Sequence, residues 1–179
     1  MGKTSLKKRL CAGTVVFLTI FATVVVTPVP ASANVSQGYV LGVGFGDDAL
    51  DDWDDEGPLS VSENLHSNVV AMWQQVLWAD GLLPWSGIDC WFGSQTAEAT
   101  RTWKRRNNLD DNGIVGWRAL QKVRARFEPF QLTAWTFTGR ADGPLRQITF
   151  WRDEEIYSMS ISGDVHNLGY NYANFDVCT

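Results

Sequence analysis

Two short segments decide the fold of this chain: Asp89-Cys90-Trp91-Phe92-Gly93-Ser94-Gln95-Thr96 and Asn112-Gly113-Ile114-Val115-Gly116. Each joins a glycine-containing turn to an apolar anchor, and a helical pattern follows each of them. Gly93 is expected to adopt a backbone angle that a Cβ would resist. Ser94 is expected to cap the next helix, and Thr96 to pack or bond in its first turn. The two segments therefore predict helix entrances, and their residues are expected to build the fold rather than to perform chemistry.

The residues around these segments have the spacing of three helices. Apolar residues over 69–77 recur at i, i+3, i+4 and i+7, and Ser67 precedes them as a candidate N-cap. The second helix is predicted from Ser94 to about Arg106. The third is predicted to start near Gly116 and to stop at Glu128-Pro129. The residues expected to be buried in these last two helices are Thr96, Ala99, Thr100, Trp103, Leu120, Val123 and Phe127.

After Pro129 the pattern changes to short segments rich in threonine, isoleucine and aromatic residues. Such segments, separated by turn residues, predict strands at 131–138, 145–152 and 155–162, and a fourth at 170–178. The sequence therefore predicts an α+β fold in which three helices are followed by a small antiparallel β-meander.

The first 33 residues have the composition of a signal peptide. An apolar run at 10–26 follows four basic residues, and Ala31-Ser32-Ala33 forms a small-residue cleavage site. An uncleaved membrane anchor is the alternative, although a run of 17 residues is short for a bilayer span. Cleavage would leave 11 basic and 20 acidic residues, a net charge of −9. This charge argues against a nucleic-acid partner, and no membrane attachment is expected after cleavage.

Residues 34–64 are predicted to form a glycine-rich and acidic arm, 65–128 a helical domain and 129–179 a small β module. The arm holds seven acidic residues between positions 47 and 56, a composition typical of a solvated linker. A calcium-loop spacing is present in this region, although chance matches are easy in so acidic a run, and no metal is predicted. The candidate calcium ligands are Asp52, Asp54, Glu56 and Glu63.

The two opening segments, together with the first predicted helix, resemble the small three-helix peptidoglycan-binding domains of secreted actinobacterial-type wall proteins. The family pattern "V..WQ..L...G" matches Val70, Trp73, Gln74, Leu77 and Gly81, and the resemblance covers about residues 67–127. It implies that the three helices form a peptidoglycan-binding-like bundle. The framework residues that match are Phe92, Gly93, Thr96, Gly113, Ile114, Val115 and Gly116.

The chain departs from the family pattern at three places. Cys90 stands where the family usually has glycine, and Asn112 stands where it usually has aspartate. Trp117 follows Gly116 directly, whereas the family often has Pro-x-Thr before its tryptophan. Three residues, nearly one helical turn, are therefore absent before this tryptophan, which affects the expected entry angle of the third helix.

Cys90 and Cys178 remain after the leader is removed, and two cysteines in an exported chain predict one disulfide. The alternative is a nucleophilic Cys90 with His166 as its base. However, Trp91-Phe92 replaces the Ser-Gly that usually follows the cysteine of Cys–His wall peptidases. The segment around His166 also lacks the further aspartate and histidine that zinc peptidases need. No catalytic residue and no cofactor are therefore predicted.

The resemblance implies a secreted, non-catalytic protein that binds peptidoglycan, through its glycan or its stem peptide, outside the cell or at the wall. Indole rings stack on sugars, and cations pair with carboxylates or phosphates. The candidate ligand-binding residues are Trp85, Trp91, Arg101 and Arg105. Two alternatives stay open. One is a wall hydrolase, or a hydrolase accessory, with its chemistry in the β module. The other is a secreted interaction protein whose β module binds a protein partner.

Overall fold

Three α-helices precede five β-strands in the computed structural model, which describes residues 39–40, 52–53, 57–169 and 173–178. The helices are α1 (Asn68–Ala79), α2 (Ser94–Arg106) and α3 (Trp117–Arg124). The strands are β1 (Phe127–Gln131), β2 (Ala134–Thr138), β3 (Gln147–Asp153), β4 (Ile156–Ile161) and β5 (Asp164–Asn167). The predicted signal peptide and most of the acidic arm lie outside the described residues.

α1 lies at the centre of the core. It is enclosed on all sides, since 11 of its 12 residues are buried, and three of these are the polar Asn68, Gln74 and Gln75. Ser67 caps its first turn as predicted, since the Ser67 Oγ accepts a hydrogen bond from Val70 N at 3.3 Å. None of the described helices is both long and apolar enough to span a bilayer.

The predicted bounds of α2 are confirmed, and so is the burial predicted for it. α3 begins after Gly116 as expected but ends at Arg124, so the prediction that the helix includes Phe127 is wrong. Ala125 is the C-cap of α3, and the Arg126 guanidinium that follows pairs with the buried Asp80 carboxylate. Phe127 then opens β1 and stacks on Phe150, with ring centroids 5.0 Å apart.

The five strands form one antiparallel sheet in the order β1-β2-β3-β4-β5. The predicted α+β class with a β-meander is therefore confirmed, and β2, β3 and β4 lie within or close to the three predicted strands. β1 and β5 were not predicted. The strand predicted at 170–178 is wrong where it is described, because Asp176–Cys178 is a short 3-10 turn; residues 170–172 lie outside the described part.

One core joins the helices to the inner face of the sheet, and Val40, Trp53 and Leu59 of the acidic arm belong to it. Trp53 is fully buried and packs edge-on against Phe127, Phe150 and Tyr157. Asp52 is buried beside it, where it accepts a hydrogen bond from the Tyr157 hydroxyl at 2.7 Å. The interpretation of this run as a solvated linker is wrong at both residues, because an aromatic cluster draws Trp53 into the core.

The Asp52 carboxylate does not enter the core alone. Arg152 Nη1 lies 3.6 Å from Asp52 Oδ2, and both side chains are buried. Burial raises the pKa of Tyr157, and so do the hydrogen bond to Asp52 and the charge of Asp52. Tyr157 therefore stays a neutral hydrogen-bond donor to Asp52.

A second buried carboxylate joins α1 and α2 to the sheet. Asp80 Oδ2 accepts hydrogen bonds from Arg126 Nη1 at 2.6 Å and from Trp103 Nε1 at 2.7 Å. Asp80 Oδ1 accepts from Arg126 Nη2 and from the backbone N–H of Arg140, both at 2.8 Å. Arg126 Nη2 also donates to Thr138 O at 2.6 Å. One carboxylate thus fixes the end of α1 against three other parts of the chain.

Candidate functional site

The first motif segment is held by one buried amide. Gln74 Nε2 donates to Asp89 Oδ1 at 2.7 Å, Trp91 O at 3.0 Å and Thr96 Oγ1 at 3.1 Å. Gln74 Oε1 accepts from Asp89 N at 3.0 Å and from Cys90 N at 2.9 Å. Cys90 has φ +64°, the left-handed conformation that favours glycine. The Gln74 amide therefore stabilises a turn that a cysteine side chain disfavours.

Two expectations for this segment are wrong. Gly93 has φ −82°, and a Cβ placed there would meet no atom within 4 Å, so its conformation does not require glycine. Gly93 is itself the N-cap of α2, and Ser94 is the first helical residue. The left-handed positions are Cys90 in the first segment and Gly113, with φ +75°, in the second.

Replacing Gln74 with leucine should lower the free energy of unfolding by about 2–3 kcal/mol, because it leaves the N–H groups of Asp89 and Cys90 without an acceptor. Urea denaturation at neutral pH measures this change. Gln75 is the matched control, since it is also buried but its amide donates to a single described acceptor, Ser160 O. Equal losses for Gln74→Leu and Gln75→Leu would contradict the role assigned to Gln74.

The second motif segment is held by Lys104, which is only 5% exposed. Its Nζ donates to Asn112 Oδ1 at 2.6 Å and to Ile114 O at 2.9 Å, and it lies 3.3 Å from Asp110 Oδ1. Asn112 Oδ1 also accepts from Ile114 N at 3.0 Å. Lys104 therefore fixes the loop before α3 against α2 and sets the position at which α3 begins.

The two predicted tryptophans lie in different parts of the surface. Trp85 belongs to a short 3-10 turn, is 45% exposed and packs edge-on against Trp78. Trp91 is 52% exposed and stacks on His66, with ring centroids 4.1 Å apart. Both rings are accessible to a ligand, but they belong to separate aromatic clusters.

The two predicted arginines lie on α2 and have carboxylate partners. Arg101 Nη1 lies 3.2 Å from Glu98 Oε2, and Arg105 Nη2 lies 3.8 Å from Glu98 Oε1. Arg105 Nη1 also lies 3.2 Å from Asp111 Oδ2. The positive charge of this face of α2 is thus largely neutralised by its own neighbours.

The cations of α3 have a different environment. Trp117, the first residue of α3, is 41% exposed, and the Arg118 guanidinium carbon lies 5.2 Å from its ring centroid. None of the described carboxylates lies within ion-pair distance of Arg118, Lys122 or Arg124. The outer face of α3 therefore combines an accessible indole ring with positive charge that the described residues leave unneutralised.

Two shallow cavities open on this face, and they share Trp117 and Arg118. One has a volume of about 230 Å³, the other about 380 Å³; we call the two together the α3 groove. The charged residues that line the groove are Lys104, Asp110, Arg118, Lys122 and Arg124. Four cations thus face one carboxylate, and Trp117 adds a flat apolar surface. This composition suits a ligand that carries both a sugar ring and a negative charge.

Sequence reasoning missed Trp117 as a ligand-binding candidate. Its position three residues before the buried Leu120 is typical of a core residue, whereas Trp117 is 41% exposed in the structure. Arg118 and Lys122 belong to the basic run of the sequence. The sequence does not show which cations have carboxylate partners; the structure shows that no described carboxylate pairs with these two.

The structure gives the positions of some residues in the cysteine and calcium predictions, but it tests neither the disulfide nor calcium binding. Cys90 is 1% exposed, which does not suit a nucleophile. The Cys178 side chain lies outside the described residues, so the disulfide stays a prediction. Asp52 is turned toward Tyr157, Glu63 is exposed, and Asp54 and Glu56 lie outside the described residues. Within the described part of the chain, no three His, Cys, Asp or Glu residues cluster closely enough to hold a metal ion.

Comparison with known proteins identifies no relative of this chain. No protein-family model matches this chain, and neither the curated proteins nor the solved structures include a significant match. The function is therefore inferred from the chemistry of the α3 groove.

Proposed function

We propose that this protein binds cell-wall peptidoglycan without catalysis and that the α3 groove is the binding surface. The observation that carries the proposal is the half-exposed Trp117 ring beside cations that have no described carboxylate partner. An indole ring offers a face for a sugar, while guanidinium and ammonium groups pair with carboxylates. Peptidoglycan carries sugar rings and carboxylates, the two kinds of group that this surface would contact.

The scaffold supports this proposal because it holds the groove in place before a ligand arrives. Lys104 fixes the Asn112–Ile114 turn, and this turn leads directly into Trp117. A site built on a helix and a hydrogen-bonded turn loses little conformational freedom on binding. The similarity of the two motif segments to the peptidoglycan-binding three-helix domains points to the same ligand class.

Secretion is part of the proposal, with cleavage after residue 33 and a disulfide between Cys90 and Cys178. The C-terminal segment lies close to the entrance of α2, which supports this pairing. His66 contacts both Trp91, next to Cys90, and Phe175, three residues before Cys178. Asn68 N also donates to Asn174 O at 2.7 Å.

Replacing Trp117 with alanine should reduce binding to purified sacculi by about tenfold, the loss expected for one central aromatic contact. Sedimentation of the protein with sacculi at physiological salt measures the bound fraction. Trp85→Ala is the matched control, because Trp85 is equally exposed but lies outside the groove. Wild-type protein that stays in the supernatant would refute the proposed function. Equal losses in the two variants would refute the α3 groove as its site.

A protein partner is the second candidate, and the hairpin between β1 and β2 favours it. Phe130 is exposed there, and Leu132 at the turn is 98% exposed. Exposed apolar side chains at the edge of a sheet are typical of contact surfaces. Protein that ignores sacculi but binds a defined secreted protein through this hairpin would favour the second function over the first.

A further inference from the structure

We infer that the α3 groove is an anion site that recognises a carboxylate or phosphate group of the wall, with Arg118 and Lys122 as its specificity-determining residues. The inference rests on the proposed function and names the chemical group that the same surface selects. Its support is that the arginines of α2 have carboxylate partners, whereas no described carboxylate pairs with Arg118 or Lys122 of α3.

The donors of Lys104 are directed at the loop before α3 and not at a ligand. An ammonium group has three donors, and those of Lys104 already face Asn112 Oδ1, Ile114 O and Asp110 Oδ1. Two of these acceptors are neutral. The third belongs to Asp110, whose side chain is mostly exposed and whose other oxygen accepts from Asn112 Nδ2 at 2.8 Å. Asp110 therefore supplies a negative charge against Lys104, and the lining cations without a described carboxylate partner are Arg118, Lys122 and Arg124.

Arg118 supplies the hydrogen-bond donors. It lines both cavities, its guanidinium lies over the Trp117 ring, and no described carboxylate pairs with it. A planar guanidinium matches the two oxygens of a carboxylate or phosphate. The Arg118 guanidinium therefore lies beside the indole ring in the lining of the groove. A ligand oxyanion there would sit beside a stacking surface for an attached sugar.

The positive charge of the groove, compared with the negative net charge of the chain, favours an anion as the ligand. Lys122 and Arg124 extend the positive lining into the second cavity, in a chain whose formal net charge is −5. A positive groove on an acidic protein attracts small anions while the rest of the surface repels them. Arg101 and Arg105 on α2 do not offer this, because Glu98 and Asp111 already pair with them.

The double variant Arg118→Gln/Lys122→Gln should bind sacculi about tenfold more weakly or worse, the loss expected from removing charged hydrogen bonds. The matched control Arg101→Gln/Arg105→Gln should stay within about twofold of wild type. Binding by wild type should also weaken at high ionic strength, and binding by the double variant should respond less. The probes are sacculi before and after removal of phosphate polymers, and a stem tetrapeptide with a free or amidated carboxyl terminus.

The outcomes distinguish a phosphate from a carboxylate as the bound anion, and they distinguish the anion-site inference from the proposed function. Lower binding after phosphate removal identifies a phosphate, whereas loss on amidation of the tetrapeptide identifies a carboxylate; either supports the inference. Sacculus binding that is unchanged in Arg118→Gln/Lys122→Gln overturns the inference and leaves the proposed function standing. Tetrapeptide binding that needs Arg118 and Lys122, without any binding to sacculi, supports the anion site and overturns the proposed function.

Discussion

Replacing Asp80 with alanine should lower the free energy of unfolding by about 3–5 kcal/mol, the usual effect of removing one partner from a buried ion pair. The carboxylate accepts four hydrogen bonds, two of them from Arg126. Arg126 stays enclosed without it, because its guanidinium carbon lies 4.1 Å from the Phe137 ring centroid. Urea denaturation at neutral pH measures the change. The Asp111→Ala control, which breaks the exposed pair with Arg105, should cost less than about 1 kcal/mol.

The same carboxylate should make stability depend on acid pH. Burial alone would raise the pKa of Asp80, but the hydrogen bonds and charge of Arg126, with Arg140 and Trp103, lower it below its ordinary value of 3.8. A pKa that is lower in the folded state means that the stabilisation is fully present above the unfolded pKa. It is lost as the pH falls through the folded pKa, so wild type should lose this stability below about pH 4. Asp80→Asn should lose less over that range; equal acid dependence would contradict the assignment.

Replacing Gly139 with alanine should destabilise the protein by about 3 kcal/mol, the upper end of the range for an overpacked site. A Cβ at this position would lie 2.0 Å from Ala79 O and 2.7 Å from Ala79 Cβ. The end of α1 therefore rests directly on the backbone after β2. The clash cannot be relieved by a side-chain rotation, because the closest atoms belong to the helix backbone. α1 would have to move away from the sheet.

Thermal and urea denaturation measure the effect of Gly139→Ala, and Gly93→Ala is its control. Gly93 has an ordinary φ of −82°, and a Cβ added there would have no neighbouring atom within 4 Å, so that change should cost less than about 1 kcal/mol. A Gly139→Ala protein as stable as wild type would show that α1 and the sheet are not in such close contact.

Local sequence patterns were enough to predict the helices and the middle of the sheet. Ser67 and the glycines of the two motif segments mark helix starts, and α2 ends where expected. β1 was missed because Glu128-Pro129 is typical of a helix stop, yet a proline is tolerated in an edge strand. β5 was missed because Asp164–Asn167 is short and polar. Burial of Asp52 depends on Tyr157, which is 105 residues away, and no local pattern reveals such a contact.

The candidate site was only partly predictable for the same reason. The sequence shows eight basic residues between Arg101 and Arg126, but it does not show which of them have carboxylate partners. Glu98 and Asp111 pair with the α2 arginines, whereas Arg118 and Lys122 line the α3 groove. Composition favoured α2 as the ligand-binding surface. The pairing between side chains favours α3 instead, because its cations have no described carboxylate partners.

The most direct test of the α3 groove is the indole N–H signal of Trp117 in a nitrogen–proton NMR spectrum, identified by comparison with a Trp117→Phe variant. Soluble fragments from digested peptidoglycan are titrated into the protein while the tryptophan signals are followed. Binding in the groove predicts a saturable shift of the Trp117 signal and little change at the buried Trp53 and Trp73. A Trp117 signal that stays unchanged while the fragments shift Trp85 or Trp91, or shift no tryptophan, would contradict the account.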